Sequence, residues 1–245
     1  MAAGTLKEYK MSKYAEIIYP KDEKNQYPTQ LSEYLYNRFI RDYECTETPK
    51  ILDIGCCTGK ALKLFGAQGD LELHGVDIRD EDVEGIQFKT CNIETEQLPY
   101  PDNYFDFIYS KSVLEHVVNT QNFLNESMRV LKPGGVFIGL TPDWKSQQSI
   151  FWDDYTHVKP FTRKGLRDAL RIHDYEHADC EYFYQLPFIW KYPTLRFIPK
   201  LVALLPDSWK WKDSEQRNTK DRKLIRFSKE KMLLSYGRKK CPNPN

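Results

Sequence analysis

Short apolar runs alternate with helical patterns through the middle of the chain. The runs cover residues 51–54, 71–76, 86–93, 105–109 and 136–140, and the last is apolar on both faces, as in a central parallel strand. Apolar side chains recur at helical spacing between some of these runs, at residues 60–65 and 123–131. The alternation predicts a doubly wound α/β sheet with mostly parallel strands.

Helical and strand patterns also flank this region. Apolar spacing predicts a helix over 31–40. The Pro-Gly-Gly sequence at 133–135 is expected to end the helix that precedes the fifth strand. Thr162 is placed to cap a further helix, whose Leu166 and Leu170 face inward. Further along, the pattern predicts strands over 181–184 and 231–236. They are separated in part by an amphipathic segment over 194–205, which we expect Pro199 to interrupt.

The composition excludes several classes of protein. A chain of 245 residues can bury one sizeable core, and its net charge of +1 gives no overall attraction to nucleic acid. The six cysteines form no CxxC pair, which argues against a zinc site or a disulfide framework and favours a reducing, cytoplasmic compartment. No stretch reaches the ~18 apolar residues of a membrane span. We therefore expect a soluble protein without a nucleic-acid partner.

The segment after the first apolar run has the composition of a ligand-binding loop. Small residues at 55–59 allow close backbone approach and precede a helix, as in nucleotide-binding α/β units. The loop lacks the Lys-Ser/Thr pair of a triphosphate site, and Asp53 would repel a diphosphate. Asp77 ends the second run, about 20 residues further on, where an acid accepts the hydroxyls of an adenosine ribose. These features favour a cationic adenosyl ligand.

Four stretches, in the same order, resemble a known family. DIGCCTG, GVDI, LPYPDNYFDFIYSKSVLEHV and LKPGGVFIG lie within residues 50–142. They are similar to the glycine loop, the ribose-binding strand end, and the fourth and fifth strands of the class I S-adenosylmethionine-dependent methyltransferases. The resemblance implies a Rossmann-like fold with antiparallel strands at one edge, S-adenosylmethionine as cofactor, and methyl transfer as activity. Cys57 departs from the pattern, because the family usually has glycine at this position.

The resemblance also implies a set of cofactor contacts. Asp77 would bind the ribose, and the side-chain oxygen of Asn92 would accept a hydrogen bond from the adenine amino group. The complete set of expected contacts is Asp53, Gly55, Cys56, Cys57, Gly59, Asp77, Ile78, Asn92, Ile93 and Ser110.

Two histidines are candidates for a catalytic base. His157 lies in an aromatic and acidic segment after the fifth strand, where Asp153 or Asp154 could orient its imidazole. His116, which follows the fourth strand, is the second candidate, and either residue could instead be structural. We expect His157, Asp154 and His116 to form the catalytic set. The stretch around these residues is similar to that of a related quinone-pathway subfamily, in which Glu, Glu and His are thought to hold a divalent ion. No metal is expected here, because Ser112 replaces one of the two glutamates, while Glu115 keeps the other.

The chain is expected to form one domain with additions to a central core. The expected parts are an N-terminal arm and helix over 1–48, a cofactor-binding core over 49–142, an active-site loop over 143–161, and an insertion over the substrate mouth at 185–228. The arm could be a packed segment or a lid over the cofactor.

Segments outside the core suggest the acceptor and a surface partner. FWDDYTHVKPFT and QLPFIWKYP resemble parts of glycan-type O-methyltransferases, which favours a small molecule and, within that class, a sugar hydroxyl. A carbon or nitrogen atom of an aromatic or quinone-like molecule is the alternative acceptor, and Cys57 leaves open an inactive cofactor-binding or scaffold protein. Basic residues over 206–241 follow the apolar stretch 201–205, a pattern typical either of a solvated face or of peripheral membrane contact through 201–240.

Overall fold

A seven-stranded sheet forms the centre of the protein, whose computed structural model describes residues 29–80, 83–210 and 222–241. The strand order is β3-β2-β1-β4-β5-β7-β6. The strands are β1 Lys50–Ile54, β2 Glu72–Asp77, β3 Gln87–Thr90, β4 Phe105–Lys111, β5 Leu131–Pro142, β6 Glu176–Phe183 and β7 Met232–Arg238. The expected N-terminal arm falls mainly on residues 1–28, outside the described ranges.

The strand directions confirm the predicted fold class. Strands β1 to β5 are parallel, and β7 pairs antiparallel with both β5 and β6 at one side of the sheet. The chain order of the strands reverses between β1 and β4, and in such sheets ligands bind at the carboxyl ends of the strands beside this point. The ends of β1 at Ile54 and of β4 at Lys111 therefore mark the expected site.

Helices cover both faces of the sheet. They are α1 Thr29–Leu35, α2 Lys60–Gly66, α3 Thr120–Val130, α4 Trp144–Gln147, α5 Arg163–Ile172, α6 Pro187–Lys191, α7 Phe197–Val202 and α8 Lys223–Lys229. A π-helical turn extends α1 from Tyr36 to Ile40, so the helix predicted over 31–40 is confirmed. Within the described ranges, none of the helices combines the length and the apolar composition that a membrane crossing requires.

Alternating strand residues build two apolar layers, as the twofold side-chain period of a strand requires. On one face, Leu52 and Ile108 belong to a buried cluster with side chains from α3 and α5. On the other face, Phe107 and Tyr109 belong to a second cluster with side chains from α1 and α2. Burial on both faces makes β1 and β4 the rigid centre from which the site residues project.

Two strands are longer than the sequence patterns predict. β5 begins at Leu131, directly after α3, so residues 133–135 lie inside the strand and not ahead of it. This extension depends on the far end of the chain, because Gly134 donates to the Lys239 carbonyl at 2.8 Å and Lys239 donates to the Gly135 carbonyl at 3.0 Å. β6 begins at Glu176, since that residue pairs with Arg238 of β7.

The segment between β6 and β7 is largely helical in its described part. It contains α6, α7 and α8, while residues 211–221 lie outside the described ranges. The prediction that Pro199 interrupts the 194–205 segment is wrong, because Pro199 lies within α7. It occupies the first turn of that helix, where the missing N–H removes no intrahelical hydrogen bond. The division into arm, core, loop and insertion stays a prediction.

Candidate functional site

The loop after β1 is shaped by residues with positive φ. Gly55, Cys57 and Gly59 have φ values of 79°, 51° and 68°. The backbone N–H groups of Gly55 and Cys56 donate to the Val76 carbonyl at 2.8 and 3.1 Å, which attaches the loop to β2. Residues other than glycine reach this conformation at a cost of roughly 1 to 2 kcal/mol. Cys57 therefore occupies a position that favours glycine.

Asp77 holds this loop from the end of β2. One carboxylate oxygen accepts the Cys57 N–H at 2.9 Å, and the other accepts bonds from the backbone N–H and the Nε of Arg79 at 3.1 and 3.3 Å. A carboxylate has about four lone-pair sites. Asp77 therefore retains about one lone-pair site that can accept a hydrogen bond from a ligand hydroxyl at this edge of the sheet.

Several of the other expected cofactor contacts already have partners within the protein. The Ser110 hydroxyl is buried and donates to a β1 carbonyl at 2.9 Å. The side-chain oxygen of Asn92 accepts the Glu94 N–H at 3.1 Å, which leaves one lone pair for a ligand amino group. Ile93 is buried and Ile78 is half-buried. The roles of these residues stay predictions.

Three charged side chains connect the loop with the turn after β4. Asp53 and Glu115 are buried, and Lys111 interacts electrostatically with both. Burial, followed by the charge of Asp77, raises the pKa of Asp53 to about 8, while Lys111 acts in the opposite direction. Burial also raises the pKa of Glu115 to about 7 and lowers the pKa of Lys111. A cationic ligand beside Asp53 would be favoured, because it would stabilise the ionised carboxylate.

Glu115 joins three parts of the molecule. Its carboxylate accepts the Thr141 hydroxyl of β5 at 2.8 Å, and its backbone carbonyl accepts the N–H groups of Val158 and Lys159 at 2.8 and 3.1 Å. These bonds fix the 143–161 segment over the carboxyl ends of β4 and β5. Glu115 is not among the site residues expected from the sequence, because its burial and its partners all depend on distant parts of the chain.

Local hydrogen bonds give the 143–161 segment a defined conformation. Asp143 caps α4 by accepting a backbone N–H at 3.1 Å. Asp154 accepts both the backbone N–H and the hydroxyl of Thr156, at 3.0 and 2.7 Å. The Phe151 ring is 1% exposed and packs against the His157 ring, with centroids 4.5 Å apart. These contacts therefore hold the His157 side chain in a defined position.

The structure brings the three expected catalytic residues together. The ring centroids of His116 and His157 are 4.8 Å apart, and a carboxylate oxygen of Asp154 lies 3.8 Å from Nε2 of His157. Burial, followed by the charge of His157, lowers the pKa of His116, which favours its neutral form at pH 7.

Hydrogen bonds select the tautomer of both imidazoles. His157 Nδ1 lies 2.6 Å from the Phe151 carbonyl, and a carbonyl only accepts, so this nitrogen carries the proton. The Thr156 hydroxyl donates to Asp154 and therefore accepts from Nδ1 of His116, at 2.9 Å. Each neutral imidazole then has its lone pair on Nε2. The lone pair of His157 can accept a proton.

A family model described as "Methyltransferase domain" matches residues 52–139 of the chain. The chain is 27% identical over 150 residues to the phosphoethanolamine N-methyltransferase of Plasmodium falciparum, which covers 56% of this chain and 54% of that protein. It is 31% identical over 149 residues to the ubiquinone/menaquinone biosynthesis C-methyltransferase UbiE of Vibrio parahaemolyticus, covering 53% of this chain and 57% of that protein. The chain thus spans about half the length of these curated relatives.

The fold is also similar to that of solved structures. One is a SAM-dependent methyltransferase from Archaeoglobus fulgidus, with a TM-score of 0.59 and 20% identity, covering 94% of this chain and 99% of that protein. At this identity the similarity concerns the fold.

Replacing Gly55 with alanine should lower the free energy of unfolding by roughly 2 to 4 kcal/mol, because of backbone strain and overpacking. A Cβ at this position would lie 2.3 Å from Cγ2 of Val113, at a φ of 79°. Gly85→Ala is the matched control, since its φ is 78° but its Cβ would meet nothing within 4 Å. Chemical denaturation of both variants gives their free energies of unfolding. The loss in Gly85→Ala measures backbone strain alone, and any additional loss in Gly55→Ala measures the clash with Val113. Equal losses would show that Val113 does not constrain the loop.

Proposed function

We propose that the chain is a class I S-adenosylmethionine-dependent methyltransferase, which the match of residues 52–139 to a methyltransferase domain supports. In this proposal it transfers a methyl group from S-adenosylmethionine to a small-molecule acceptor. The observation that carries this proposal is the position of the His116–His157 pair. It lies at the carboxyl edge of β4 and β5, and the glycine loop contacts the same turn through Gly55 and Val113. A donor held by the loop would therefore face the two imidazoles.

The loop and its neighbours supply the cofactor site in this proposal. Asp77 accepts a ribose hydroxyl with its remaining lone pair, and Asp53 becomes ionised beside the cationic cofactor. The sulfonium already activates the methyl group, so catalysis consists of aligning the acceptor for displacement at about 3 to 3.5 Å.

An oxygen acceptor fits the imidazole pair best. A hydroxyl is a poor nucleophile at neutral pH, and the Nε2 lone pair of His157 is placed to accept its proton while Asp154 stabilises the imidazolium. The oxygen–carbon bond forms as the carbon–sulfur bond breaks, which leaves a methyl ether and S-adenosylhomocysteine. His116 lies beside His157 and helps position the acceptor.

A sugar hydroxyl is the acceptor class that we propose within this activity, on the resemblance of FWDDYTHVKPFT and QLPFIWKYP to glycan-type enzymes. The two curated relatives described above are an N-methyltransferase and a C-methyltransferase. Methylation of carbon or nitrogen in an aromatic or quinone-like molecule is accordingly the second candidate. An inactive cofactor-binding protein is the third, since Cys57 stands in the loop where the family usually has glycine.

Asp77→Ala is expected to weaken S-adenosylmethionine binding by roughly 2 to 4 kcal/mol, because a charge-assisted hydrogen bond to the ribose and the support of the loop are lost. Isothermal titration calorimetry measures the change. Asp80→Ala, an exposed acid nearby, is the control and should bind normally. Asp77→Asn keeps an acceptor for the Cys57 N–H, so it separates loss of charge from collapse of the loop. Unchanged affinity in both Asp77 variants would contradict the ribose assignment.

His157→Ala is expected to lower turnover by about 10² to 10⁴ while cofactor affinity stays nearly intact, as for the loss of a general base. S-adenosylhomocysteine release can be followed against a panel of sugars and catechols. His177→Ala, an exposed histidine on β6, is the control. If His157→Ala keeps full turnover and His116→Ala loses it, the general base is His116 and not His157.

A further candidate property is peripheral contact with an anionic membrane through 201–240. Phe197, Leu201 and Leu204 are 54%, 61% and 81% exposed at helical spacing around α7, with the exposed Lys200 between them. The basic residues give less support than the sequence suggested, because Lys210 and Lys229 form internal ion pairs. Trp211 lies outside the described residues.

The double variant Leu201→Gln/Leu204→Gln should reduce cosedimentation with anionic vesicles at low salt, since it removes apolar surface from the contact. Ile172→Gln changes an equally exposed apolar residue on α5 and should have no effect. If the unmodified chain stays in the supernatant with anionic vesicles, the α7 surface is an ordinary solvated face.

A further inference from the structure

We propose that the Trp152 indole is a stacking surface that binds the ring of a saccharide at the acceptor side of the candidate site. Trp152 lies in the 143–161 segment, and its ring packs edge to face against Phe151, with centroids 5.0 Å apart. Phe151 in turn packs against His157. The inference rests on the proposed function for the use of the bound sugar as methyl acceptor, whereas the binding of the sugar to Trp152 does not require methyl transfer.

Two neighbouring aromatic residues of the segment differ sharply in exposure. Phe151 is 1% exposed, whereas Trp152 is 56% exposed. Single apolar side chains are common on protein surfaces, so exposure alone would not indicate a ligand. The position of Trp152 is what gives its exposure a meaning, because only the buried Phe151 ring separates the indole from the His157 imidazole. A tryptophan in such a position can supply a large apolar face to a ligand.

The backbone that carries Trp152 is held in place. Trp152 is the middle residue of the 3₁₀ turn Phe151–Asp153, whose last residue donates its N–H to the Ile150 carbonyl at 3.0 Å. Nδ1 of His157 donates to the Phe151 carbonyl in the same turn, at 2.6 Å. The indole and the imidazole are therefore positioned by one turn. A preorganised aromatic surface of this kind loses little conformational entropy when a ligand stacks on it.

The acidic residues that follow Trp152 suit the edge of a sugar ring. A pyranose carries C–H groups on its faces, which make weak contacts with an aromatic face, and hydroxyls around its edge. Asp153 is exposed directly after Trp152, and a carboxylate oxygen of Asp154 lies 3.8 Å from Nε2 of His157. A carboxylate has about four lone-pair sites, so each acid can accept a hydroxyl hydrogen in addition to its bonds within the protein.

The same acids favour a saccharide over a quinone. A quinone ring would also stack on the indole, but its carbonyl oxygens only accept hydrogen bonds and would meet carboxylates, which also only accept. The edge of a sugar ring donates in several directions. The combination of an exposed indole with Asp153 and Asp154 therefore indicates a polyhydroxylated ring as the ligand.

Stacking on Trp152 would determine which hydroxyl reaches the proposed proton acceptor. A ring held against the indole lies next to the turn that holds His157, so a hydroxyl at the edge of that ring faces the imidazole. The contact is made equally in the ground state and in the transition state, and its loss then raises KM with little change in kcat. Trp152 would thus be a specificity-determining residue.

The experiment is a ligand-observed saturation-transfer NMR titration of the full chain. The probes are the methyl glycosides of glucose, galactose and mannose, with catechol as a planar comparison. We expect saturation of the ring C–H protons of at least one glycoside, strongest on one face of the ring. Trp152→Ala should raise the Kd of that glycoside by about 3- to 10-fold, as for the loss of an aromatic contact.

Two further variants separate stacking from a structural role of the side chain. Trp152→Phe keeps a flat ring and should retain most of the affinity for the glycoside. Trp152→Leu keeps apolar surface without a flat ring and should lose as much affinity as Trp152→Ala. In turnover assays with the same sugar, Trp152→Ala should raise KM by a similar factor, while the Kd of S-adenosylmethionine stays unchanged.

Ile172→Ala is the control for exposed apolar surface elsewhere. Ile172 is 77% exposed and is the last residue of α5, whereas the first turn of this helix adjoins the 143–161 segment. Its replacement should leave the Kd of the glycoside unchanged. Thermal unfolding of each variant verifies that it is folded. The proposal is overturned if no glycoside binds, if catechol binds and no glycoside does, or if folded Trp152→Ala binds the glycoside normally.

Failure of the stacking surface and failure of the proposed function give different results. If a sugar is methylated but Trp152→Ala changes neither its Kd nor its KM, methyl transfer stands and the stacking surface is wrong. If a glycoside binds with the expected sensitivity to Trp152→Ala but S-adenosylmethionine does not bind, the stacking surface stands and methyl transfer is wrong.

Discussion

The hydrogen bonds of Glu115 are the interaction on which the candidate site depends. A single buried residue joins the turn after β4 to Thr141 of β5 and to the backbone of the loop that carries His157. Without these bonds, the 143–161 segment would have fewer contacts over the sheet edge. The backbone carbonyl of Glu115 therefore holds the loop that places His157 beside His116, while burial of the same residue raises the pKa of its carboxyl.

Buried charge also couples the two halves of the site. Asp53 lies at the cofactor loop, Glu115 lies at the histidine pair, and Lys111 at the end of β4 interacts with both. A buried acid is stabilised in its charged form by a nearby cation. A cationic cofactor beside Asp53 would stabilise one of these acids, so its binding is expected to influence Glu115 through Lys111.

Some parts of the chain match the methyltransferase family model, and others lie outside that match. The match to the methyltransferase family covers β1 to β5, which hold the glycine loop and Asp77. The helices between β6 and β7 and the loop after β5 lie beyond this match, and they supply the exposed apolar face of α7 and the anchored His157. Recognition of the acceptor and of any surface partner is therefore expected to depend on these added segments.

The sequence by itself determined the sheet and the glycine loop and indicated His157, Asp154 and His116 as candidates, because each has a local signal. Apolar period, small residues before a helix, and titratable groups in an aromatic loop are all visible in short windows. Only the tertiary structure decided the role of Glu115, the start of β5 at Leu131 and the tautomers of the histidines. Each of these depends on hydrogen bonds between residues far apart in the chain, such as Gly134 with Lys239, which no local pattern contains.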